Sequence, residues 1–299
     1  MKLSKSLLVQ LLFGIVLTAI ITIFIGNLRV NLIRTGMGLS FNWIIQPSGF
    51  AIAEKSLSYK PSDNYLWALC IGWINSLKVI LAGLTIATVL GLFAGIARIS
   101  GNILLRTIST LYIVLIRQIP LLLQLMFWYF VVFLSLSTTP ISLLGSIIVI
   151  SNKTIKLMGL DLSVEYSSLL VGLSIFTGAA IAEVVRGGLN SVPKGQWEAF
   201  RCLGISERMG IFKIVLPQAL PAIIPGLTSQ YLNLAKNSTL AIAVGYADLY
   251  AISDTTITQT GRAIEGFLVL MISFLLLNIL ISGGMEGLNR LTVKSNFRL

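Results

Sequence analysis

The chain has 299 residues, of which 56% are hydrophobic and only 11% charged, and its mean hydropathy is +0.90. Soluble domains carry about 25% charged residues, so composition argues against a water-soluble fold and for long apolar spans in a bilayer. The net charge of +11 sits in short links between apolar runs, where Lys and Arg orient membrane proteins, and not in a patch suited to nucleic acid.

Histidine is absent, which removes imidazole acid–base catalysis and imidazole metal ligands. Cys70 and Cys202 are the two cysteines. The topology below sets them on opposite sides of the membrane, so a disulfide between them is not expected, and a metal cluster would need more ligands than this chain groups together.

Residues 1–26 open with Lys2 and Lys5 and continue as an apolar run, Leu7–Ile25. The run exceeds the roughly 7–15 residues of a signal-peptide core, and no small-x-small cleavage site follows it. It reads as an uncleaved anchor with a cytoplasmic N-terminus. Residues 27–68 are broken by Gly, Pro, Ser and Asn and read as an external loop. A short interfacial helix is expected near Leu39–Ile45, with Trp43 and Trp67 at headgroup level.

The second span covers about Leu69–Ala97. Lys78 in its outer third is expected to snorkel outward. Gly83, Ala87, Gly91 and Gly95 form a ridge for close helix packing. Residues 107–136 are apolar but interrupted by Arg117-Gln118-Ile119-Pro120, since proline lacks the helical N–H and disfavours helix before it. A half-helix followed by a span over Leu121–Leu136 is predicted. The break is either a simple kink or a bend around a translocation path; non-helical backbone at membrane depth is tolerated where it faces protein or water.

Residues 137–164 read as a second external segment. Span four covers Tyr166–Val185, an internal loop follows over 186–216, span five covers Gln218–Gly245, and span six Ala263–Ser282. A basic cytoplasmic tail occupies 286–299. The internal segments hold Lys2, Lys5, Arg98, Arg106, Arg186, Lys194, Arg201, Arg208, Lys213, Arg290, Lys294 and Arg298. The external ones hold Arg29, Arg34, Lys55, Lys60, Lys153, Lys156 and Arg262. This bias favours six spans with both termini inside, in an all-α integral membrane protein.

The most specific signal lies in the 186–216 loop. Glu198-Ala199-Phe200, then Gly204, then Ile214-x-Leu216-Pro217 resembles the E-A-A-x-x-x-G-x9-I-x-L-P segment of the inner-membrane subunits of bacterial ABC importers. The resemblance implies a short helix that docks on a partner ATPase. Trp197, Phe200 and Leu203 would fill a cleft, Glu198 would meet a basic rim, and Gly204 would supply the sharp turn. The second Ala of the family triplet is Phe200 here, and a bulkier knob implies a matching pocket and a narrower choice of ATPase.

Further stretches narrow the resemblance. Arg117–Phe130 and Ala182–Gln196 are similar to polar amino-acid permeases of the histidine/glutamine type. Arg34–Ser40, Tyr59–Asn64 and Asn237–Leu249 are similar to the general L-amino-acid permease within that group. What this implies is a five-span permease core over 69–285 with span one added. The partners would be ABC ATPase subunits, a second permease chain and a periplasmic amino-acid-binding protein, in the bacterial inner membrane. No phosphate-binding loop of the type G-x-x-x-x-G-K-[ST] occurs, so ATP and Mg would sit on the partner and this chain would be a non-catalytic translocase subunit.

Span five is the candidate pathway. Ser229, Asn233 and Asn237 fall on one face, with Gln230 and Lys236 beside them, and Arg117 and Pro120 are the other pathway candidates. Polar groups in an apolar span are costly unless they face a cavity or a partner; the bland alternative is an interhelical hydrogen-bond seam. Glu183 and Arg186 are spaced to pair on one helix face, and Glu265 reads as a solvated helix end. The rivals are a secondary transporter or channel for small polar solutes, or an ABC permease for another polar solute. The former would show an inverted repeat or acidic residues deep in the spans, and neither is evident.

Overall fold

A computed structural model describes residues 5–34, 38–54, 56–143, 148–157 and 159–296. Lys2, Lys55 and Arg298 of the charge count, and residues 35–37 of the outer-loop similarity, lie outside the described residues. The helical class holds, with five helices long and apolar enough to cross a bilayer and a sixth span available from a bent helix pair.

Helix α1 (Lys5–Arg34) has no buried residue. Helix α2 (Tyr65–Arg98) and α5 (Val164–Asn190) form the spine. They run parallel, because Gly83 lies by Leu170, Gly91 by Ile181 and Gly95 by Val185. The predicted small-residue ridge is therefore a packing seam: a Cβ at Gly91 would come within 2.4 Å of Ile181. The next long helical run comprises α7 (Glu207–Gly210), a π-helical turn (Ile211–Val215) and α8 (Leu216–Asn237). It is antiparallel to α5, with Gly188 against Ala219 and Ile223, and Gly226 against Val184. After a 3-10 turn (Ser238–Val244) and α9 (Leu249–Thr260), α10 (Ala263–Asn296) returns along α8.

The predicted break is a corner. Helix α3 (Ile103–Gln118) meets α4 (Leu121–Met126), which continues as a π-helical turn to Phe133, at 105°. Proline at 120 leaves the Ile116 carbonyl without its helical donor. The buried Gln124 supplies it: Nε2 donates to Ile116 O and to Ile119 O, each at 2.8 Å. Helix α3 packs against both α2 and α5. The Ser109 hydroxyl donates to Ala94 O, Tyr112 Oη donates to Ile175 O, and Ile113 packs on Ala179 and Ala182.

Residues 137–164 carry a four-stranded antiparallel meander, β1 (Ile141–Leu143), β2 (Ile148–Ile150), β3 (Thr154–Leu157) and β4 (Leu160–Ser163), in order β1-β2-β3-β4. Trp43 is 6% exposed and stacks edge-on against Tyr65, so it is core and not a headgroup anchor. Residues 38–64 are folded down onto α2 and α9, which removes Trp43 from solvent. Trp67 does stay partly exposed, donating from Nε1 to Ser58 O.

Lys78 reaches outward as expected and stays partly exposed, but it ends on a carboxylate. Its Nζ lies 3.0 Å from Glu54 and 4.7 Å from the Tyr166 ring centroid, because the 38–64 segment brings a carboxylate to it. Asn75, fully buried, holds the same segment: Nδ2 donates to Glu54 O and Ala247 O, and Oδ1 accepts from Ser56. Glu265 is also buried, accepting from Ser40 N at 3.0 Å, and is not a solvated end.

At the start of α9, Asp248 Oδ1 accepts from Ala251 N at 2.8 Å and caps the helix, while buried Oδ2 has no partner among the described residues. Burial pushes this carboxyl up to about 7, against the lowering effect of backbone N–H donors at Ala251, Tyr250 and Asp248 itself. The folded protein keeps this proton where the unfolded chain, at about 3.9, has released it. The group's contribution to stability is thus full at low pH and is lost as pH rises from about 4 through 7. Asp248→Asn keeps a capping oxygen and removes the titration. The variant should melt above the parent at pH 8, with the gap closing towards pH 5 in detergent melting curves.

Candidate functional site

The loop between α5 and α8 is a compact helical hairpin. Pro193, with extended backbone, precedes α6 (Lys194–Cys202). The helix is closed by Gly204 at φ +71°, with Gly204 N–H donating to Arg201 O and Ile205 N–H donating to Phe200 O. This pair of bonds is the glycine-terminated helix end that satisfies the last carbonyls. A side chain at position 204 would meet no neighbour but would have to occupy the left-handed region.

Of the residues expected to dock, Glu198, Ala199, Leu203 and Gly204 are exposed, Leu203 at 76%, and Trp197 is half-buried. Phe200 departs from expectation: it is 1% exposed. Its ring fills the space over Gly210, where any Cβ would lie 2.4 Å from it, and joins Val192, Val215 and Ala219 in the core. At about 100° per residue, Phe200 lies roughly 160° around the helix from exposed Glu198 and about 100° from exposed Ala199, while Leu203 and Gly204 lie past the end of α6. Phe200 is no knob for a partner's pocket. Arg201 braces the hairpin from outside, with Nε 2.7 Å from Glu207 and its guanidinium over the Trp197 and Phe200 rings.

Just before the hairpin, Glu183 pairs with Arg186 as the spacing predicts, at 2.9 Å, and also with Arg98 at the end of α2. Arg117 is within electrostatic reach of Arg98. It is exposed beside the α3–α4 corner, as is Pro120. The α2 contact was not legible in the sequence, because it joins residues 85 positions apart.

The second candidate region is the exposed polar face of α8. Ser229, Asn233 and Lys236 are exposed along it, whereas Gln230 and Asn237 are half-buried at its border. The polar face is therefore Ser229–Asn233–Lys236, rotated slightly from the predicted row ending at Asn237. Among the described residues no group of three or more acidic, Cys or His side chains is spaced to hold a metal ion.

Residues 87–294 match the family described as binding-protein-dependent transport system inner membrane component. The chain belongs to this family. The permease is 31% identical to the general L-amino acid transport system permease protein AapQ of Rhizobium johnstonii, across 95% of this chain and 91% of that one. It is 29% identical to the glutamate/aspartate import permease protein GltJ of Escherichia coli K12, across 82% of this chain and 92% of that one. It also superposes on the crystal structure of an amino acid ABC transporter with histidines at TM-score 0.60 and 25% identity, covering 76% of this chain and 94% of that one. The permease is thus a membrane-embedded subunit of an ABC importer, multi-pass in the bacterial inner membrane.

Proposed function

We propose that the permease passes L-amino acids across the inner membrane by alternating access, driven by ATP and Mg bound on partner ATPases that grip α6. The exposed face of α6, ending in the Gly204 turn, carries this reading: Trp197, Glu198, Ala199, Leu203 and Gly204 form the grip. Phe200 supports it from behind. The amino-acid assignment rests on the named functions of AapQ and GltJ and of the superposed transporter.

The domain division follows: anchor 1–26, outer segment 27–68, permease core 69–285 with docking loop 186–216, and tail 286–299. The α6 end lies in the cytoplasm with both termini, in line with the Lys and Arg bias. The opposite end, with the 38–64 segment and the β-meander, meets an external amino-acid-binding protein. A second permease chain covers the α8 face, since Ser229, Asn233 and Lys236 have no reason to meet lipid. The translocation path runs there, with Gln230, Asn237 and the Arg117–Pro120 corner at its margins. Hydroxyl, amide and ammonium groups suit the carboxylate and ammonium of an amino acid.

The test is a mild-detergent pull-down of the tagged chain from native membranes, with a second permease, an ATPase and uptake of labelled L-amino acids as readouts. Recovery of both partners supports the reading; a chain that comes down alone while uptake persists overturns it. Lys236→Met should slow uptake about tenfold while the ATPase stays bound. Unchanged uptake kinetics would remove Lys236 from the path.

A further inference from the structure

We infer that Phe200 is the positioning residue that couples the docking helix to the translocation helix, with Gly210 as its seat. This rests on the docking reading of α6 and goes beyond it, since Phe200 acts from the buried side and touches no partner.

Gly210 ends the first turn of a continuous helical run, Glu207–Val244, that includes α8 and its polar face. The Phe200 ring meets that turn directly, with the Gly210 Cβ position 2.4–2.8 Å from three of its ring atoms. No larger residue than glycine fits at 210 while phenylalanine occupies 200. The ring belongs to the buried cluster that includes Val192, just after α5, and Val215 and Ala219 at the start of α8, so it links all three segments. A 6.0 Å contact to Trp197 ties the half-exposed edge of the docking face to the same anchor.

Two consequences follow from this geometry. A force applied to α6 reaches α8 through one close-packed contact, because packed interfaces transmit displacement instead of absorbing it. The lever is long: at about 1.5 Å per residue, Gly210 to Ser229 is roughly 28 Å. With alanine at 200 the methyl leaves a void over Gly210, and α6 can move without carrying α8.

The test uses the complex co-purified through a tag on this chain. Its ATP hydrolysis is compared with uptake of a labelled L-amino-acid mixture in cells expressing each variant. Phe200→Ala should keep the ATPase bound and raise ATP hydrolysed per amino acid imported about tenfold, with Phe200→Leu intermediate. Gly210→Ala in the parent should lower uptake severely, through the clash with the ring. In the Phe200→Ala background it should cost little more, a non-additive cycle expected for residues in direct contact.

Three outcomes overturn the inference: an unchanged ratio in Phe200→Ala, additive effects of the two substitutions, or loss of the ATPase from Phe200→Leu. The last would make Phe200 part of the gripping surface. Absence of an ATPase from the parent preparation would instead defeat the docking reading itself, so the two failures are distinct.

Discussion

Gly204→Asp is expected to abolish uptake and release the ATPase while leaving the protein at normal abundance in the membrane. Gly204 sits at φ +71° and closes α6. Aspartate pays for that left-handed backbone with about 1–2 kcal/mol and places a carboxylate next to exposed Leu203, on the surface assigned to grip the partner. The backbone strain alone would loosen the helix end. The added charge desolvated in an interface costs more, and truncating or burying a charge at such a centre typically loses several kcal/mol. Nothing packs within 4 Å of a Cβ at 204, so the spans are untouched and insertion persists. Western blotting of membranes, pull-down and uptake in the same cells check all three parts. Uptake at parent rates would sink the docking assignment.

Gly91→Val is expected to do the reverse: prevent accumulation of folded protein, and with it every activity. The α2–α5 seam is tightly packed at Gly91. At Gly91 even a methyl would stand 2.4 Å from Ile181 Cγ2, 2.5 Å from its Cβ and 2.9 Å from Gly178 O. One of these contacts is backbone and another is the branched root of a side chain, so no rotamer change relieves them. Overpacking of this kind costs about 1–3 kcal/mol where a core can shift, and more here because the parallel helices α2 and α5 are locked at both Gly91 and Gly95. Membrane abundance and the detergent melting temperature should both collapse. A control at Gly187, where an added Cβ meets nothing within 4 Å, should behave as the parent.

Much of this architecture was legible in the chain. Apolar runs locate the spans because a bilayer about 30 Å thick demands helices of about 20 residues. Pro120 marks the corner because it lacks an N–H, whatever surrounds it. Gly204 marks the end of α6 because only glycine enters the left-handed region freely. The four-residue spacing of Gly83, Ala87, Gly91 and Gly95 marks a packing ridge because that spacing puts them on one helix face. These are properties of single residues or of one helix.

The remainder belonged to tertiary structure. Whether Phe200 faces a partner or the core depends on Gly210, and on the Gly204 turn that folds the two together. Lys78 is paired because Glu54, far back in a mixed loop, is laid against α2. Trp43 is buried because the same loop folds inward onto Tyr65. The β-meander escaped because strands of three or four residues are too short to show alternation. Sequence determined which segments cross the membrane and where the chain must turn, since those follow from local backbone chemistry and burial in lipid. Only the fold decided which polar and aromatic side chains face one another, because that is set by contacts between segments distant along the chain.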